Sequence, residues 1–296
     1  MISHRSPDLP VLAILAVLPF LSPARGEGPT QPPQKPQQKS EADAVLARSV
    51  ATLQRLPHLT AAVRYIVHGP RGERLVGRGR YEELQQGERR LTRFELAFDV
   101  AGKDGFRLLQ VHDGQWLWTE RILGEKSRIT RVAPGKSGEG DSDWADSGGA
   151  ESAAAPQAGL DVGVGGLSGW TVSLRQNFTF HSVQAGILHH GEQRLPVLRL
   201  EGRLSETTRE RLGLEMPPRA GDAPLPGMLP WCVQAIVATD DLLPRRIEFY
   251  RTSHDDRPMA MLDFHAIETG PTARPAPERF HFEPGDDAGN GSVDGQ

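Results

Sequence analysis

Two periods run along this chain, and they divide it. Between Ser40 and Leu56 apolar residues return every three or four positions: Val45, Leu46, Val50, Leu53 and Leu56. That spacing predicts one amphipathic helix. Ser40 followed by Asp43 offers an N-cap, and Pro57 ends the helix. From His58 the period falls to two. HLTAAVRYIVHG sets Leu59, Ala61, Val63, Tyr65 and Val67 on one face. RLVGRGRYEEL sets Leu75, Gly77, Gly79 and Tyr81 against a row of arginines, and RRLTRFELAFDV sets Phe94, Leu96, Phe98 and Val100 against Arg93, Glu95, Ala97 and Asp99. FRLLQVH, the Asp113-Gly114 turn, QWLWTE and SRITRV continue the alternation. A second helix is expected near 167–178, where Leu167, Trp170, Val172, Leu174 and Phe178 recur. Strands then resume in RLPVLRLEGRL, WCVQAIVAT, PRRIEFYR and PMAMLDFHAIET, and RFHFEP is expected as the last, with Phe280 and Phe282 on one face.

About ten consecutive antiparallel strands with two helices define the fold class: mainly β (α+β), a single wide sheet dry on one side. A sheet that wide twists and curls. The expected architecture is an incomplete β-barrel, with the helices packed in or over its mouth as a lid. Tyr65, Tyr81, Phe94, Leu96, Phe98, Trp116, Trp118 and Phe264 are the candidate wall of the hollow, and Val45, Val50, Leu53, Leu167 and Trp170 the candidate lid positions. The same residues would serve as an ordinary packed core. A half-barrel closed by two short helices, however, fills its interior less completely than a sandwich, and barrels of this width hold apolar ligands.

Composition places this unit within the chain of 296 residues. MISHR is basic, VLAILAVLPFL is apolar but far short of the roughly 20 residues of a bilayer span, and SPARGEG supplies small residues. Residues 1–26 are therefore expected to be a signal peptide, which implies export, with a membrane anchor as the alternative. Residues 27–41 are a Pro/Gln-rich linker, 42–288 the folded domain, and 289–296 a disordered tail, with flexible low-complexity loops at about 134–159 and 216–227. The single Cys232 cannot form an internal disulfide. A net charge of -4, with arginines balanced by glutamates along the strands, gives no reason to expect nucleic acid.

Catalytic signals are sparse. HExxH, GxSxG, CxxC and the P-loop are absent. His189-His190 reads as an exposed hairpin turn. Asp263 and His265 share a strand face and His281 lies on the last strand, which allows a metal or acid/base role, although solvated strand histidines are far commoner. The glycine-rich DVGVGGLSG follows no βαβ pattern. Asn177-Phe178-Thr179 is a glycosylation sequon whose Phe178 looks buried. No catalytic group, cofactor or metal is expected.

Several pieces in order resemble the LolA-like family, the periplasmic carriers of outer-membrane lipoproteins and their relatives: VLARSVATLQRL, GRGRYEEL, HDGQWLWTE, DDLLPRRIEFYR and PERFHFEPGDDA, spanning about residues 44–288. The resemblance implies an unclosed barrel with a helical lid and a hydrophobic cavity for acyl chains of lipoproteins or lipids, and no catalysis. It implies a soluble periplasmic monomer, with an inner-membrane release complex and an outer-membrane receptor as partners. It also implies a lid-latching arginine near the third strand, where Arg89 and Arg90 stand. This chain departs from the carriers in its two long insertions. Two other readings stay open. One is a lipid-sensing or envelope-stress module of the same fold. The other is an exported hydrolase, which would need three polar groups converging in one cavity.

Overall fold

The computed structural model describes residues 40–69, 73–98, 105–133, 166–214, 229–252 and 255–283. The signal peptide, nearly all of the linker, both long loops and the tail fall outside them, as does Val100. The first helix, α1 (Glu41–Arg55), is capped as its sequence requires: the Ser40 hydroxyl accepts from the Asp43 N–H at 3.2 Å. Six strands follow: β1 (His58–His68), β2 (Arg74–Gln86), β3 (Arg89–Phe98), β4 (Phe106–His112), β5 (Leu117–Leu123) and β6 (Lys126–Val132). Helix α2 (Gly166–Asn177) precedes a long hairpin, β7 (Phe178–His190) and β8 (Gln193–Leu204). A six-residue helix α3 (Glu206–Arg211), then β9 (Cys232–Ala238), β10 (Pro244–Tyr250), β11 (Ala260–Glu268) and two 3-10 turns, Pro271–Ala273 and Pro277–Phe280, complete the described chain.

All eleven strands form one antiparallel sheet in the order β6-β5-β4-β3-β2-β1-β11-β10-β9-β8-β7. Its two edges, β6 and β7, are not paired to each other, so the barrel is open. Two meanders meet at a single seam, β1 against β11. Eleven strands laid flat would span about 50 Å, whereas two helices side by side cover about 20 Å. Yet residues of β1 to β4 and β7 to β11 share one apolar cluster with Val45, Leu46 and Leu53 of α1 and Leu167, Trp170 and Leu174 of α2. The sheet therefore wraps around the helices, and the helix-covered face is its concave one.

Three expectations are corrected. RFHFEP is no strand. Pro277–Phe280 forms a 3-10 turn opened by a proline instead, and the segment crosses the outer face. There Phe280 packs on Leu84 and Leu91. The strand β7, in contrast, was hidden by a register shift between Phe180 and Ser182, which breaks its alternation. Finally, His189 and His190 end that strand rather than form the turn, which is at Gly191 (φ +58°).

Candidate functional site

The concave face is built rung by rung. Phe94 lies opposite Tyr81 on one side and Gln110 on the other, and Phe264 lies opposite Val63. Tyr65, Tyr81, Phe94, Leu96, Phe98 and Phe264 are all buried, at 4% exposure or less, and all belong to the one cluster with the helices. Their rings interlock edge to face: Tyr65 with Phe98 at 6.0 Å between centroids, Tyr81 with Phe264 at 6.2 Å, and the lid's Trp170 with Phe264 at 6.0 Å. Glycine makes room for one of them, because a Cβ at Gly77 would stand 2.8 Å from the Phe98 ring. Val45, Val50, Leu53, Leu167 and Trp170 are likewise buried. The helices fill the hollow.

The tryptophans lie elsewhere. The rung Phe94–Gln110–Thr119 gives the concave side of β5 to Thr119, which turns Trp118 to the outer face. Trp116 precedes the strand. Asp113 organises both: its Oδ1 accepts the N–H groups of Gln115 (2.8 Å) and Trp116 (2.7 Å), and its Oδ2 accepts the Trp118 indole N–H at 3.1 Å. Burial pushes the Asp113 carboxyl up, but these three donors outweigh it and leave the group below its ordinary value. The Trp118 ring stacks on Phe282 at 5.2 Å, and the Arg131 guanidinium sits 4.4 Å over Trp116. Trp118 thus holds the C-terminal segment on the outer face, and neither indole is part of the concave wall.

What distinguishes the concave site is how its two helices are held. They run antiparallel, and polar groups tie each end. Arg175, near the end of α2, forms a two-pronged pair with Asp43 in the first turn of α1, Nε to Oδ1 at 2.9 Å and Nη2 to Oδ2 at 3.0 Å. This pairing raises the arginine's affinity for its proton. At the other end Arg90 of β3 donates to the carbonyls of Leu53 (3.2 Å) and Gln54 (3.0 Å), satisfying the last turn of α1. The same guanidinium pairs with the buried Glu83. Glu83 in turn accepts from the Tyr81 hydroxyl, and both face an N–H in the first turn of α2: Leu167 N lies 2.9 Å from Tyr81 Oη and 3.2 Å from Glu83 Oε2. A carboxylate at a helix N-terminus is favourably placed against the dipole. Burial pushes the Tyr81 phenol well above its usual range and the Arg90 guanidinium below. Of Arg89 and Arg90, it is Arg90 that reaches α1.

The outer face carries an arginine row. Arg107, Arg78, Arg64, Arg246 and Arg199 fall on one continuous rung of the sheet, with Ala97, Ile236 and the buried Asp263 between them. Asp263 pairs with Arg64 at 2.6 Å and also with Arg246. The tip of the β7–β8 hairpin packs against this face through Leu188, Leu195 and Ile236, and His190 stacks on His265 at 4.6 Å. With both Asp263 oxygens engaged by arginines, the described residues assemble no Asp–His–hydroxyl constellation. Nor do they contain a group of three or more His, Cys, Asp or Glu that could hold a metal. The sequon asparagine is engaged too, its Nδ2 donating to the Ser173 carbonyl at 2.9 Å and its Oδ1 accepting from Arg211 at 2.8 Å.

No family model matches the chain, and no curated protein matches it by sequence. Solved structures similar to it include a DUF1329 family protein from Desulfovibrio piger (12% identity, TM-score 0.36, covering 82% of this chain and 98% of that one). A protein described as an outer membrane lipoprotein-sorting domain, from Vibrio parahaemolyticus, is similar at 11% identity and a TM-score of 0.33, covering 80% and 97%. A LolA superfamily protein from Nitrosomonas europaea is similar at 14% identity and a TM-score of 0.27, covering 82% and 97%. These are loose likenesses in the course of the chain, and the functional reading below rests on this chain's own residues.

Proposed function

We propose that this chain is an exported, periplasmic carrier of acyl chains, borne by lipid or lipoprotein, in which α1 and α2 form a displaceable lid over the concave face. A role in outer-membrane lipoprotein sorting, as a monomer passing cargo between membrane partners, is the setting this reading favours. One observation carries it. The largest apolar surface of the sheet is covered by two helices fastened at their ends by polar latches, Arg175–Asp43 and Arg90–Glu83–Tyr81, and not by a second sheet.

The energetics suit exchange. Lifting α1 exposes Val45, Leu46, Val50 and Leu53, at about 2 kcal/mol each or ~8 kcal/mol together. An acyl chain that buries about ten methylenes at ~0.8 kcal/mol each returns a similar amount. A swap near balance lets cargo enter and leave without a covalent step or a cofactor.

The test is native mass spectrometry of protein taken gently from the periplasm, joined to uptake of a pyrene-labelled fatty acid. Acyl-bearing adducts are expected. The double variant Arg90→Ala, Arg175→Ala should take up the probe several-fold faster while its melting temperature falls. A clean unliganded mass, with no uptake by either protein, overturns the proposal.

A further inference from the structure

On the concave face, away from the polar groups that tie the helices, buried polar side chains stand on β4. On β4 Gln110 and His112 point to the same side as Leu108, toward the interior. Gln110 is 1% exposed and His112 8%. Neither the amide nitrogen nor the amide oxygen of Gln110 has a hydrogen-bond partner among the described residues, and His112 Nε2 has none either. The Ser49 hydroxyl, in the middle of the buried stripe of α1, is in the same condition. Buried polar atoms almost always find partners, so the two neighbouring groups on β4 call for one.

The geometry fixes what each group lacks. His112 Nδ1 lies 3.0 Å from the carbonyl of Arg90, which can only accept. Nδ1 therefore carries the proton, and Nε2 of the neutral ring is left as an acceptor. The Gln110 amide presents one acceptor oxygen and a donor nitrogen, whichever way it is turned. The site thus lacks one acceptor for the amide N–H and donors for Gln110 Oε1 and His112 Nε2. Phe94 and Thr119 stand directly opposite Gln110 on the two neighbouring strands, and Thr92 and Leu117 opposite His112.

We infer that Gln110 and His112 form a polar subsite within the hollow that binds the head of a monoacylated polyol such as a glycerol ester, its carbonyl accepting from Gln110 and its free hydroxyls donating to Gln110 and His112. The inference rests on the acyl-carrier reading and narrows it. The cargo is an amphiphile with hydroxyls beside its ester, rather than a bare hydrocarbon. His112 hangs from the carbonyl of the latch residue Arg90, so the head would be read next to the group that fastens α1.

The experiment uses two pyrene probes that differ only at the polar end, pyrenyldodecane and the glycerol monoester of pyrenyldodecanoic acid. The wild-type protein should bind the ester at least tenfold more tightly than the hydrocarbon. Gln110→Leu, close in volume, should abolish that preference by weakening the ester alone. In urea unfolding of the empty protein the variant should be at least as stable as wild type, because it removes two unpartnered atoms. An unchanged preference in Gln110→Leu overturns the inference. So does a clear loss of stability, which would show that the amide is satisfied within the chain. Equal binding of both probes by wild type removes the polar subsite and leaves the carrier. Binding of neither removes both.

Discussion

At the scale of single residues, Asp113 shows how one short polar side chain decides the place of two large apolar ones. Its two oxygens collect the N–H groups of Gln115, Trp116 and the Trp118 indole. The turn at Gly114 (φ +87°) then sets Trp118 on the outer face against Phe282. The carboxyl titrates below its ordinary value of 3.8 in the folded protein. Its contribution to stability is therefore complete above about pH 4 and disappears as pH falls through the lowered folded value. Asp113→Asn should lose about 1 kcal/mol at pH 7, and its stability should fall less than that of wild type between pH 4 and 2. Urea midpoints at a series of pH values, followed by tryptophan fluorescence, check this. Identical acid slopes for the two proteins would refute it.

At the scale of elements, the lid depends on one glycine. Gly166 opens α2 with φ +64°, a conformation that only glycine adopts without strain. A Cβ there would lie 2.6 Å from Glu83 Oε2 and 2.9 Å from the Tyr81 hydroxyl. Gly166→Ala should push the Glu83–Tyr81 cap away from Leu167 N and detach the start of α2, at a cost of about 2–3 kcal/mol. Hydrogen exchange at the amides of α2 would report it, with protection lost there and kept in β2 and β3. Unchanged protection in α2 would show that the cap is not what holds the helix.

This element also shows what the sequence disclosed. The periodicity of α1, its Ser40 cap, the positions Leu167, Trp170 and Leu174 of α2 and the faces of β1 to β3 were readable, because each is a local pattern that burial enforces residue by residue, whereas Phe178, expected in the helix, opens β7 and Val172 is only partly buried. β7 was not, because its register shift between Phe180 and Ser182 interrupts the alternation. The outward turn of Trp118 was not, because parity on β5 is set by its rung with Gln110 and Phe94, a fact of pairing rather than of spacing. The contact of Arg90 with the end of α1 was legible only as one of two neighbouring arginines. Gln110 and His112 gave no signal, since a polar residue at a concave position resembles a break in the pattern.

At the scale of the molecule, everything converges on the seam. Two meanders, β1 to β6 and β7 to β11, are joined within the sheet by the pairing of β1 with β11, from Thr60–Glu268 to Val67–Ala260. Asp263 lies within that pairing, 1% exposed, bound to Arg64 across the seam and to Arg246 on β10. The two sides of this triad are not equivalent. The side chains of Arg64 and Arg246 retain 38% and 18% of their exposure, so each can reach toward water, whereas the carboxylate retains 2% and cannot. Removing both cations therefore strands a buried charge, which costs about 3–5 kcal/mol. Removing that charge as well should relieve most of the penalty. Arg64→Met with Arg246→Met should accordingly lower the unfolding free energy at pH 7 by about that amount, and adding Asp263→Asn should restore more than half. Because the seam joins the two halves, the loss should appear as a single transition in circular dichroism and in fluorescence alike. If the third substitution deepens the loss instead, the arginines hold the seam by packing their stems, and the carboxylate is not the group they serve.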